Sequence, residues 1–93
     1  MARPKHTKRD ACQKQLVDDL RALGFVVWDL ADLGGEITDL AVAWRGQMLP
    51  VEVKCNGTLT KAQRRSIARL RRVGVEAIVA GTAEEVIAAW PSS

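Results

Sequence analysis

The sequence predicts an α/β fold: a mixed sheet flanked by helices, in the order α-β-β-β-α-β-α. Three observations lead there. Short Val-rich runs that alternate with period two are interspersed with stretches whose apolar residues recur at helical spacing. Thr60-Lys61-Ala62-Gln63 and Thr82-Ala83-Glu84-Glu85 are capping boxes, each opening a helix. A length of 93 residues allows one domain and no second core.

Residues 1–8 read as a basic, loosely held arm, since Pro4 and the charge density argue against a packed element. Residues 9–93 form the domain. From about Asp10 to Leu23 the apolar positions Ala11, Leu16, Val17, Leu20 and Leu23 have helical spacing, and Gly24 stops the helix. Phe25 to Leu30 is a strand rich in Val and aromatic residues. Asp32-Leu33-Gly34-Gly35 is a turn. Ile37 to Trp44 is the next strand, and Arg45-Gly46-Gln47 is a tight connection. Met48 to Lys54 follows, with Leu49, Val51 and Val53 on one face and Glu52 and Lys54 on the other. Pro50 removes a ladder donor, which predicts an edge position or a bulge. A second helix runs from Thr60 to before Gly74, with an apolar stripe of Ala62, Ile67, Leu70 and Val73. Val75 to Ala80 is a fourth strand. A short helix ends at Trp90, closed by Pro91.

The composition, 47% hydrophobic and 27% charged, is that of a globular chain. No apolar run reaches the roughly 18 residues of a membrane span. The basic N-terminus has no apolar stretch behind it and is no secretory signal. These features predict a small, soluble, intracellular protein. Two cysteines, Cys12 and Cys55, and one histidine, His6, are too few for a disulfide framework or a zinc site. Cys12 reads as a helix core or interface position and Cys55 as an ordinary strand-end thiol. Trp28, Trp44 and Trp90 each lie in an apolar element and read as core or interface.

The net charge of +3 hides a sharper pattern. Residues 1–9 and 61–72 hold ten of the 14 basic residues and no acid, leaving four basic residues among all 11 acids. Lys61, Arg65, Arg69 and Arg72 follow one face of the second helix, with Arg64 and Arg71 flanking it. Such a stripe suits a polyanion, and phosphate contacts made this way are independent of sequence and sensitive to salt. Lys8 of the arm and Arg9 at the start of the domain would extend it. The plainer alternative is a solvated helix face and a terminus without function.

One polar constellation carries chemistry. Asp39 and Glu52 interrupt apolar strands that a short hairpin joins, so they can sit side by side. Lys54 lies two residues beyond Glu52. Buried carboxylates need a partner, and Mg²⁺ takes hard oxygen ligands while keeping waters and substrate phosphates. A lysine beside such a pair can hold the attacking water or steady a phosphate oxygen. The plainer alternative is a cross-strand salt bridge.

Asp39 followed after thirteen residues by Glu52-Val53-Lys54 resembles the D…(D/E)-x-K signature of the PD-(D/E)XK nucleases. Leu59-Thr60-Lys61-Ala62-Gln63 resembles the L-[ST]-x-x-Q segment of their virus-type replication–repair nuclease branch, VRR-NUC. Arg9-Asp10-Ala11-Cys12-Gln13 and Gly24-Phe25-Val26-Val27-Trp28 are similar to small phage-encoded members that stand alone. The resemblance implies a restriction-endonuclease-like αβββαβ core with a short C-terminal helix added. It implies Asp39, Glu52 and the Val53 carbonyl as ligands of Mg²⁺ or Mn²⁺, and Lys54 as the residue positioning water. Gln63 would be the helix glutamine near the active site. Its position in line with Ile67 and Leu70 agrees, and so does a second reading as the N3 half of the capping box. Many members have Pro before the first acid, where Thr38 stands here. Many also carry a glutamate on the first helix. Here that region offers Gln13, which brings no charge, and Asp10, which could equally cap the helix.

The leading expectation is a metal-dependent DNA endonuclease, structure-specific for branched or junction DNA or weakly specific. The resemblance makes it phage- or prophage-encoded and cytoplasmic in a bacterial host. It also implies a homodimer, since a single site cuts a single strand and a pair buries surface that a small domain lacks. The alternatives are an inactive nucleic-acid-binding module of the same fold and a structural subunit in which the trio is an ion-pair cluster.

Overall fold

The computed structural model describes the backbone of residues 8–33 and 37–92, and the side chains of 11–30, 32–33 and 37–92. The arm, the side chains of Lys8, Arg9 and Asp10, and the Gly34-Gly35 part of the turn lie outside the described residues. The elements are α1 (Lys8–Ala22), β1 (Val26–Asp29), β2 (Leu40–Trp44), β3 (Gln47–Val53), α2 (Lys61–Arg72), β4 (Ile78–Ala80) and α3 (Ala83–Ala89), with a 3₁₀ turn at Ala31–Leu33. The predicted order holds.

The sheet order is β1-β2-β3-β4, antiparallel between the first three strands and parallel between β3 and β4. The β2–β3 hairpin closes through Arg45 and Gly46, both at positive φ (50° and 78°). That is the pattern of a primed two-residue turn, whose twist matches that of the strands. Both α1 and α2 end on a glycine at positive φ, Gly24 (99°) and Gly74 (90°). In each, the amide after the glycine reaches back to close the motif, Phe25 to the Leu20 carbonyl and Val75 to the Leu70 carbonyl, both at 3.0 Å.

One sheet face is apolar and deeply covered. Val27, Leu40, Val42, Leu49, Val51, Val53, Ile78 and Ala80 are buried there against Leu16, Val17 and Leu20 of α1 and Ala83 and Val86 of α3. Phe25, Trp44 and Trp90 close one end of this core, with Phe25 and Trp44 stacked at 4.4 Å and Trp90 edge-on to both. The other face is covered unequally. Helix α2 buries Ile67 and forms a groove with Val79 of β4. Val26, Trp28 and Met48 stand about half exposed on the same side, over β1 to β3.

Several sequence expectations need correction. Pro50 is on an inner strand, and its register with β2 runs without a bulge. It is tolerated because pairing with β4 begins only at Val51, so Pro50 lacks a ladder partner on that side. Helix α1 starts at Lys8, which places Asp10 inside the first turn rather than at the cap. Leu23 and Val73 continue the apolar stripes by spacing but are exposed, since each follows the last helical residue. Ala62 is exposed as well, and the inner face of α2 is formed by Gln63, Ser66, Ile67 and Leu70. Strand β4 starts at Ile78, not Val75, because the Val75 amide is spent closing α2 and the Ala77 carbonyl accepts from Arg71 at 2.8 Å. Trp28 is no core residue; it projects from the open face of β1.

Candidate active site

The β2–β3 register pairs Leu40 with Val51, so Asp39 lies one step beyond, opposite Glu52. Asp39 occupies a bend just before β2. Its carboxylate accepts the Val53 amide at 3.0 Å, and its carbonyl accepts the Leu30 amide at 2.8 Å. The residue is therefore clamped between β1 and β3. Thr38 contributes to the bend: its buried hydroxyl donates to the Leu40 carbonyl at 3.1 Å. This hydroxyl takes a local hydrogen bond where a proline would fix the backbone.

Glu52 is only 4% exposed, on the sheet face covered by α2. A carboxylate so buried needs polar company. Gln63 supplies part of it, its side-chain amide donating to Glu52 Oε2 at 3.0 Å. The same side chain accepts the Thr60 amide through Oε1 at 2.8 Å, while the Gln63 amide donates to Thr60 Oγ1 at 3.1 Å. Gln63 therefore has two engagements. It is the N3 residue of the capping box and, with its other end, a hydrogen-bond partner of the buried acid.

The Val53 amide points to β2 and the Lys54 amide to β4, where it donates to the Ala80 carbonyl at 2.9 Å. In an extended strand the amide and carbonyl of one residue point to the same side. The Val53 carbonyl is thus directed to the Asp39 side. Lys54 is exposed and lines a cleft with Val53, Cys55, Asn56, Thr58, Leu59, Thr60 and Gln63. The donor set is two carboxylates and one carbonyl, all hard oxygens, which suits Mg²⁺ or Mn²⁺ with water completing the shell. Among the described residues no group of three or more His, Cys, Asp or Glu side chains could hold a metal, so the carbonyl would be an integral part of any such set.

The comparisons decide the family. A solved structure described as a VRR_NUC domain superposes with a TM-score of 0.70 and 31% sequence identity, over 89% of this chain and 94% of that one. The chain belongs to the VRR-NUC family. No family model and no curated protein matches it. Its restriction-endonuclease-like fold and its place among nucleases follow from this membership.

Three features of this VRR-NUC chain escaped sequence reasoning. Gln13 is buried on the inner face of α1, as its register predicts, but its amide donates to Asp29 Oδ1 at 3.3 Å. Period two from Val27 places Asp29 on the α1 side, within the strand read over Phe25 to Leu30, but the acid was not singled out there. Cys12 and Cys55 form a disulfide with Cα atoms 6.2 Å apart, joining α1 to the residue after Lys54. Neither is the isolated thiol expected. Gly81 packs so closely that a Cβ there would lie 2.5 Å from the Lys54 carbonyl oxygen. On α2, Lys61, Arg64, Arg65, Arg69 and Arg72 are all exposed, and Arg64 also donates to the Leu59 carbonyl at 2.7 Å. No helix among the described residues is long and apolar enough to cross a membrane.

Proposed function

We infer that this VRR-NUC protein is a metal-dependent endonuclease that hydrolyses phosphodiester bonds in DNA, either at branched or junction structures or with weak specificity. The observation that supports this most is that Val53, Lys54 and Gln63 line one cleft, while Asp39 holds the Val53 amide and the buried Glu52 accepts from Gln63 directly behind it. Asp39, Glu52 and the Val53 carbonyl would hold Mg²⁺ or Mn²⁺. When bound, the ion supplies Lewis acidity at a phosphate oxygen and makes water a better nucleophile near neutral pH. Lys54 orients that water and offsets charge developing on the phosphate. Gln63 fixes the rotamer of Glu52. The exposed cations of α2 hold the DNA backbone beside the cleft.

The family's nuclease character and the intact Asp39, Glu52 and Lys54 favour an enzyme over a binding module of the same fold. The test is cleavage of four-way junctions, flaps and linear duplex in Mg²⁺ or Mn²⁺. Asp39→Ala and Lys54→Ala should each lose about 10²–10⁴-fold in rate while still binding DNA. Salt-sensitive binding by the wild type with no cleavage in either metal selects the binding module. Calorimetric titration of Ca²⁺ or Mn²⁺ into wild type and Glu52→Ala tests the metal site separately, since equal affinities would remove Glu52 from it.

A further inference from the structure

We propose that Cys12 and Cys55 are a reversible thiol–disulfide couple that locks the Lys54 end of β3 onto α1, with glutathione disulfide or a similar small disulfide as its oxidant. The position of the bond carries the argument. Cys55 follows Lys54 directly and lines the same cleft, so a small disulfide approaching the cleft reaches it first. Cys12 sits on α1, one residue before the buried Gln13. The two are 43 residues apart in sequence, and the stretch between them contains β1, β2 and β3. The bond therefore fastens to α1 the start of the segment 54–60, which leads from the catalytic strand to the capping box of α2.

The opened form is also provided for. Cys12 Sγ lies 3.6 Å from the Gly81 carbonyl oxygen, an acceptor ready for a thiol hydrogen. Gly81 is the residue packed against the Lys54–Cys55 backbone. The core beneath, from Leu16 to Trp90, is held by apolar packing on both sides of the bond. Reduction would thus loosen the cleft wall without dismantling the fold.

The chemistry balances. The Cys55 thiolate attacks one sulfur of glutathione disulfide, a mixed disulfide forms and one glutathione thiolate leaves. The Cys12 thiolate then attacks the Cys55 sulfur of that mixed disulfide, and the second glutathione leaves. The protein loses two electrons and two protons, and glutathione disulfide is reduced to two thiols. Oxidation presets the Lys54 backbone relative to α1, and preorganisation of this kind favours the chemical step.

The experiment poises the full chain in glutathione buffers of graded ratio and reads intact mass and amide hydrogen exchange. The oxidised protein should be lighter by two hydrogens, and exchange in residues 54–60 should be slower by about tenfold or more. Cys12→Ser and Cys55→Ser should show the faster exchange in every buffer. A mass independent of the buffer, or equal exchange in both states of the wild type, overturns the proposal. Cleavage of DNA, measured alongside, should be faster in the oxidised state, and equal, measurable rates in both states would overturn the control of cleavage by the couple. The functional consequence rests on the nuclease reading, whereas the mass and exchange do not. A protein that shows the lock but cuts no DNA keeps the couple and loses that reading.

Discussion

At the scale of single residues, the site depends on groups that each perform two tasks. Asp39 holds the Val53 amide with its carboxylate and the Leu30 amide with its carbonyl. Gln63 starts a helix and steadies Glu52. Gly81 does its work by having no side chain, which allows the Lys54 backbone to lie against it. Because the atom it faces is backbone, Gly81→Ala cannot be absorbed by a rotamer change. It should cost about 1–3 kcal/mol of stability and shift Lys54, lowering kcat more than it weakens DNA binding. Thermal unfolding and steady-state cleavage check both halves; a stable variant with unchanged kcat would show that the Lys54 backbone is not critical. Much of this scale was legible in the sequence. Period two placed Glu52 opposite the apolar face, and a short hairpin brought Asp39 beside it. The cysteine pair was not legible, because nothing local brings residues 43 apart within bonding distance. Asp29 was missed for a different reason: its partner, Gln13, is on another element, and strand periodicity does not report which helix residue faces it.

At the scale of elements, the capping boxes fixed the starts of α2 and α3, and Gly74 and Pro91 their ends, to within a residue. Strand ends were harder to read. An apolar run such as Val75–Ala80 signals β-structure, but the Val75 amide is already committed to closing α2. Period analysis reports which residues prefer burial, not which hydrogen bonds are already taken. Helix α2 also shows why charge is a better guide than apolar periodicity in this chain. Its inner face is narrow, with Ile67 its buried residue, whereas its cations are exposed. Replacing Arg65 and Arg72 by Ala should weaken DNA binding about equally for all sequences. The slope of log affinity against log salt should fall by about 0.9 for each phosphate that the variant no longer neutralises. Binding isotherms at several salt concentrations measure this, and an unchanged slope would take α2 out of the interface.

At the scale of the whole molecule, coverage of the sheet is one-sided. Helices α1 and α3 bury one face, while α2 shields only the β3–β4 part of the other. The open part carries Val26, Trp28 and Met48, about half exposed and with no charged side chain between them on β1 to β3. Apolar surface of this kind on a small domain suits a self-complementary pair. The homodimer that the resemblance implies would use it, and a pair would present two sites to the two strands of a duplex. Light scattering after size exclusion should give twice the 10.2 kDa chain mass for the wild type and a monomer for Trp28→Glu. A wild type that stays monomeric at every concentration would refute the pair. Sequence reasoning put all three tryptophans in core or interface but could not sort them, because sheet coverage depends on how far α2 reaches.

The double engagement of Gln63 makes the start of α2 and the placement of the buried Glu52 carboxylate parts of one equilibrium. If the first turn of the helix frays, Glu52 loses a donor; if Glu52 is drawn elsewhere, the turn loses an anchor. Linkage is reciprocal in free energy. A ligand that prefers Glu52 with Gln63 in place must therefore stiffen the helix that carries the cations, and backbone binding along that helix must in turn favour the ligand. In this chain, gripping a polyanion and preparing its cleavage would be coupled through one amide side chain.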